Sequence, residues 1–89
     1  GGVIMSLLDA AMASAAVSKV NFTKGIVTID MSISFMRPGT GRLHAVGRAI
    51  GGGESVCFCE AEILDDDANV VAKGIGSFKY RRKQLPPAA

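Results

Sequence analysis

Histidine is almost absent from this chain: His44 is the only one in 89 residues. It reads as a surface strand residue. A single imidazole, with no serine or cysteine next to it in sequence, leaves little material for a catalytic triad. Cysteine is scarce too. Cys57 and Cys59 are the only two, and with one distant histidine they make a poor set of metal ligands. They lie two apart on what reads as one strand, where neighbours point the same way but are badly placed to bridge. Free thiols packed in a core, and a reducing cytoplasm, are the expectation. Net charge is only +2, too weak for nucleic acid as the main partner. Charged residues make up 20% and hydrophobic ones 48%, which excludes a disordered chain. No internal repeat is visible. No stretch supplies the roughly 20 strongly apolar residues of a membrane span, and nothing reads as a signal peptide. The length suits one domain with a modest core.

What is present begins with Gly1 to Val20, GGVIMSLLDAAMASAAVSKV. Alanine, leucine and methionine favour a helix, and apolar residues cover almost every angle of its wheel. Such a helix is expected to be buried on all sides. One carboxylate, Asp9, sits in its middle, and a buried charge needs a reason to be there. The chain opens on two glycines with no N-cap residue or leading strand before the helix. The expectation is that N-terminal sequence precedes it in the whole protein.

After a polar connection, Ile26 to Met36 alternates with period two. Val27, Ile29, Met31, Ile33 and Phe35 are expected on one face, with Thr28, Asp30, Ser32 and Ser34 on the other. Turn residues Arg37 to Gly41 follow. Leu43 to Ile50 alternates again, with Leu43, Ala45, Gly47 and Ala49 as a small face, and Gly51 to Gly53 breaks it. Ser55 to Leu64 is a third strand, residues 65–69 a turn, and Val70 to Tyr80 a fourth strand loosened by Gly74 and Gly76. Short connections predict antiparallel neighbours. The fold class is α+β: a curved antiparallel sheet wrapped round one long helix. Residues 1–83 form the single domain, and 84–89 a flexible tail.

The order Gly1-Gly2-Val3-Ile4, Leu7, Asp9, Ala11, then Thr28-Ile29-Asp30-Met31-Ser32-Ile33, Phe35 and Arg37-Pro38, with Ala72-Lys73-Gly74 closing, resembles the hotdog-fold acyl-CoA thioesterases of the phenylacetate-pathway (PaaI-like) type. The resemblance runs from Gly1 to about Lys79. It implies a thioester hydrolase acting on acyl-CoA or aryl-CoA. The backbone N–H at Gly1 would donate to the thioester carbonyl, as a helix N-terminus can. Asp9 would be general base or nucleophile, and Thr28 would orient the water. Asp30, Phe35, Lys79 and the turn residues Gly53, Glu54, Ser55 and Val56 would line the acyl and coenzyme A path. The resemblance further implies no cofactor and no metal, coenzyme A entering only as part of the substrate. It also implies a homodimer with a continuous sheet or a homotetramer, with Asp9 and Thr28 of one site coming from different subunits. The histidine that usually precedes the two glycines in that family has no counterpart here.

Plainer readings exist for each residue. Asp9 could be satisfied by a backbone amide or the Ser6 hydroxyl. Thr28 alone is an ordinary strand threonine. The glycines at 51–53 alone are a turn. The basic end Arg81 to Lys83 is usually a solvated end, although coenzyme A carries phosphates it could touch. The alternative function is a non-catalytic acyl-CoA-binding hotdog module, and a third is a dehydratase or isomerase. A pure binder needs no acid beside the carbonyl, and dehydratases pair their acid with a histidine, for which His44 is wrongly placed.

Overall fold

The helix forms where its composition places it. In the computed structural model, which describes residues 2–82, α1 spans Gly2–Lys19. Its end is set by Asn21 and Phe22, whose φ values of 52° and 61° are left-handed. The Phe22 N–H donates back to the Val17 carbonyl at 3.0 Å, closing the last turn. Leu8, Met12 and Ala16, four residues apart, are fully buried and form one stripe. The other sides are open, with Val3 74% and Met5 47% exposed. Leu7, Ala10 and Ser14 line a groove beside the second strand. Burial on all sides is therefore corrected: a single sheet covers one face of a helix, and this chain supplies one sheet.

Four strands make that sheet: β1 (Lys24–Phe35), β2 (His44–Gly52), β3 (Val56–Leu64) and β4 (Val70–Arg82). All pairs are antiparallel, and the order is β1-β4-β3-β2. Hairpins join β2 to β3 and β3 to β4 as expected. The expectation of neighbours fails for β1 and β2, which occupy opposite edges. Residues 36–43 carry the chain between them. Eight residues reach roughly 26 Å when extended, more than the roughly 14 Å across three strand spacings. The link is anchored on the way, since the Met36 and Arg37 N–H groups both donate to the Val71 carbonyl, at 2.8 and 3.3 Å.

The inner face of the sheet presents Cys57, Cys59, Ala61, Ile63, Ala72, Phe78 and Tyr80 to α1. Small residues let the helix approach. A Cβ on Gly47 would run into the backbone carbonyl of Ala11, so α1 touches β2 backbone to backbone there. Gly74 lies under the side chains of Leu8 and Met12, and Gly76 under the sulfur of Met12. The Tyr80 hydroxyl donates to the Ala16 carbonyl at 2.7 Å, pinning the helix's last turns to β4. Cys57 and Cys59 are free and buried, their sulfurs 3.7 Å apart.

Of three register shifts in the sheet, those in β2 and β1 change what alternation alone predicts. In β2 the shift lies between Ala49 and Gly51, and Gly51 and Gly52 remain in the strand. Gly52 takes φ 114°, where a side chain would strike the Val56 carbonyl. In β1 the shift lies between Thr28 and Asp30, so Ile29 is an inserted residue. Gly1 and the expected tail 84–89 lie outside the described residues.

Candidate active site

The bulge at Ile29 decides which side chains of β1 meet the helix. Ile26 lies opposite Tyr80 and Thr28 opposite Phe78, while Met31 and Ile33 lie opposite Gly76 and Gly74. All four partners are buried on the inner face. Without the inserted residue, Thr28 would share a face with Asp30, Ser32 and Ser34, and either the polar or the apolar set would face the core. The insertion lets Ile26, Thr28, Met31 and Ile33 all point inward. It also corrects the single apolar face expected for this strand. Val27 and Ile29 are 45% and 55% exposed, and Asp30 stands opposite Ser77 on the outer face.

Asp9 follows the buried Leu8 by one residue, about 100° round the helix. That rotation turns it from the core stripe to the side of α1 facing β1, where it is half-buried. Thr28 Oγ1 donates to Asp9 Oδ1 at 3.3 Å. The acid and the hydroxyl picked from sequence therefore meet, and they meet within one chain. The Ser6 hydroxyl makes no bond to Asp9 among the described hydrogen bonds. A carboxylate fixed by a hydroxyl can accept a proton from water that the hydroxyl also touches, or attack a carbonyl itself.

The other residues expected along the substrate path fall into two places. Glu54 and Ser55 lie in the β2–β3 turn and line a cleft of about 670 Å³ with Thr23, Lys24, Tyr80, Arg81 and Arg82. Val56 begins β3 and pairs with Lys79, which also pairs with Val27; these three form one row on the outer face. Gly53 donates its N–H to the Val56 carbonyl at 2.8 Å and has open space around its Cα. Phe35, 51% exposed, ends β1 opposite Ala72, and Asp30 lies between. Neither joins the cleft. Lys24 and Tyr80 were not singled out from sequence. Their only signal there is position: Lys24 stands just before the first strand's alternation and Tyr80 just before the basic pair.

Electrostatics within the fold are strongest around the buried sulfurs. Burial pushes the Cys59 thiol up to about 12, with the neighbouring Cys57 adding to the effect. Burial likewise pushes the Tyr80 phenol well up from 10.0. Both groups stay protonated and neutral, so neither is a nucleophile at ordinary pH. In the β3–β4 turn the Asp65 carboxyl is held below its ordinary value, chiefly by the N–H of Asn69, which it accepts at 2.9 Å. His44 is exposed and stands 3.6 Å from Asp66. No group of three or more His, Cys, Asp or Glu side chains that could hold a metal ion occurs among the described residues.

The profile of the Thioesterase superfamily matches residues 1–72. A protein of Saccharolobus solfataricus named "Putative esterase SSO2140" is 34% identical over 86 residues, covering 96% of this chain and 61% of its own. Among solved structures, the BH2602 protein of Bacillus halodurans, crystallised with CoA, superposes with a TM-score of 0.85 at 30% identity, over 91% of this chain and 58% of that one. The PaaI protein of E. coli, from the phenylacetic acid degradation operon, gives 0.82 at 28% identity, over 91% and 58%. The chain thus spans about three-fifths of the length of the relatives it matches.

Proposed function

We propose that this chain, which belongs to the thioesterase superfamily and has its hotdog fold, hydrolyses an acyl-CoA or aryl-CoA thioester to the free acid and coenzyme A. The observation that carries this reading is the Thr28–Asp9 hydrogen bond between β1 and α1. Asp9 is the general base or nucleophile. Thr28 orients the attacking water against it. The CoA bound to the B. halodurans neighbour supports the class of substrate. No cofactor is required by this chemistry, because a carboxylate and a water suffice.

The carbonyl oxygen needs donors as its charge develops. The first turn of α1 supplies free N–H groups, and Gly1, outside the described residues, is the donor the family pattern assigns. Asp9 lies seven positions after Gly2, about 10 Å along the helix. One chain's helix start and its own Asp9 are then too far apart to hold the same carbonyl. A complete site needs the helix start of a second copy, with the Asp9–Thr28 pair of the first. The open edge of β1, carrying exposed Val27 and Ile29, supports pairing of two copies into a homodimer with a continuous sheet, or onward into a homotetramer. Free buried thiols suit a reducing compartment, the cytoplasm.

The test is thiol release from a panel of aliphatic and aromatic acyl-CoAs. Turnover of at least one thioester supports the enzyme. Tight binding across the panel with no thiol released would instead establish a non-catalytic acyl-CoA-binding module.

A further inference from the structure

Asp9 and Thr28 stand on different elements, so their meeting depends on how α1 is turned against the sheet. Apolar contact fixes such a turn poorly, because it has no direction. The ground beneath α1 is also smooth: Gly74 lies under Leu8 and Met12, and Gly76 under the Met12 sulfur. Glycines raise no ridge to index a helix, and a methionine adapts its shape. Among the described hydrogen bonds, two join α1 to the sheet. One is the Thr28–Asp9 bond itself, at 3.3 Å. The other runs from the Tyr80 hydroxyl to the Ala16 carbonyl, at 2.7 Å.

Tyr80 is held so as to make that bond. Its backbone N–H donates to the Ser55 carbonyl at 2.8 Å, it stands opposite Ile26, and the Lys24 ammonium lies 5.5 Å from its ring centre. Burial, with Cys57 adding to the effect, pushes the phenol well up from 10.0, so the hydroxyl keeps its proton and stays a donor. The acceptor is equally defined. α1 ends at Lys19, which makes Ala16 the first of its last four carbonyls, the ones a helix leaves without internal partners. The Val17 carbonyl takes the N–H groups of Val20 and Phe22, and the Ser18 carbonyl takes that of Asn21. The Ala16 carbonyl takes the phenol.

This pin lies on the line of the acid. Ala16 follows Asp9 by seven positions, about 20° short of two full turns and about 10 Å along the axis. The two residues share one side of α1, so a rotation held at Ala16 is held at Asp9. The tolerance is small. A turn of about 20° carries a carboxylate on the rim of the helix, about 5.5 Å from its axis, through about 2 Å. The Thr28–Asp9 bond is already long at 3.3 Å and would break. Tyr80 also lies two residues beyond Phe78, the partner of Thr28, so pin and hydroxyl are indexed to the same strand. We infer that Tyr80 is a positioning residue for the hydrolysis: by holding the Ala16 carbonyl, its hydroxyl sets the turn of α1 that brings Asp9 to Thr28. The inference rests on the thioesterase reading above and adds to it a residue remote from the reacting atoms.

The test is Tyr80→Phe in the full chain, which keeps the ring and removes the donor. On the thioester the parent turns over fastest, kcat should fall about 10- to 100-fold, the scale of loss for a misplacement of about 1 Å, with KM changed much less. Made on Asp9→Asn, the same change should alter the residual rate less than about threefold, because the acid it positions is gone. A second measurement needs no turnover. The carboxyl-carbon NMR resonance of Asp9 should move in Tyr80→Phe towards its place in Thr28→Ala, while that of Asp30, on the outer face, stays. Should Tyr80→Phe fail to fold, 3,5-difluorotyrosine replaces Tyr80 alone, since it is the only tyrosine. That more acidic phenol faces Lys24, Cys57 and Cys59. As pH is raised, the Asp9 resonance should depart from its neutral position earlier than in the parent. A kcat loss below about tenfold in the folded Phe variant, a loss of threefold or more on the Asn background, or an unmoved Asp9 resonance in either replacement overturns the inference. If the parent hydrolyses no thioester of the panel, the thioesterase reading falls, and the Asp9 resonance alone decides whether Tyr80 sets the Asp9–Thr28 bond.

Discussion

Thr28 on β1 donates its hydroxyl to the carboxylate of Asp9 on α1, 3.3 Å away in the same chain. The bond depends on two placements: a bulge that turns Thr28 inward, and a helix phase that turns Asp9 off the core stripe. Its chemical consequences are testable one residue at a time.

Asp9→Asn should keep the fold and remove most hydrolysis. The amide is nearly isosteric, and its oxygen can still accept from Thr28, but it is neither a base nor a nucleophile. Loss of general-base catalysis costs about 10²–10⁴-fold in kcat. Thiol release measured on a folded Asn variant decides it; a kcat within a few-fold of the parent makes Asp9 a structural residue.

Mixing lesions should not restore activity. If copies of the chain pair as proposed, Asp9→Asn and Thr28→Ala subunits exchanged into mixed dimers leave every site with one lesion, because both residues belong to the same chain's half of the site. Activity should stay at the average of the two mutants. Recovery towards a quarter of the parent, the level random mixing allows for a two-fold dimer with residues shared between subunits, would show that Thr28 serves the partner's acid instead.

Gly47→Ala tests the approach of α1 to β2. The added methyl meets the Ala11 carbonyl, and backbone cannot yield as a side-chain tip can. Overpacking of this kind costs about 1–3 kcal/mol or more. The urea midpoint should fall accordingly, with little change in the slope of the transition. An unchanged midpoint would mean that helix and strand stand further apart.

Stability should decline on the alkaline side. The Cys59 thiol is raised in the fold from 9.0 to about 12, and the Tyr80 phenol is raised from 10.0. The unfolded chain therefore releases these protons first as pH rises. The contribution of Cys59 is whole below about 9 and drains away between there and about 12, and that of Tyr80 drains away above 10.0. Denaturation midpoints should drop across that window, and Cys59→Ala should flatten the drop without abolishing it, Tyr80 supplying the remainder. At the other end the sign reverses for Asp65. Its carboxyl is lowered from 3.8, so what it contributes is present above that value and lost as acid protonates it.

The secondary-structure elements were written in local sequence. Ala, Leu and Met in the first twenty residues, and period-two alternation in four later runs, are local properties, and local backbone preferences follow from them. One helix followed by four strands, and Asp9 as the acid within the helix, were therefore legible from residues alone. Thr28 was legible only through the family pattern, since a threonine in a strand has no signal of its own. What the tertiary structure decided is how these pieces meet. Alternation placed Val27, Ile29, Met31, Ile33 and Phe35 on one face, and the inserted Ile29 split them. That insertion is set by β4, whose buried Phe78, Gly76 and Gly74 accept Thr28, Met31 and Ile33 in turn. Short links suggested strands in sequence order, yet β1 crossed to the far edge to pair with β4. The wheel of α1, apolar all round, could not say which face one sheet would cover. Strand order, register and helix phase are contests between distant segments for the same core. They are settled by which arrangement buries most apolar surface while pairing the backbone. The Asp9–Thr28 bond is a product of that settlement.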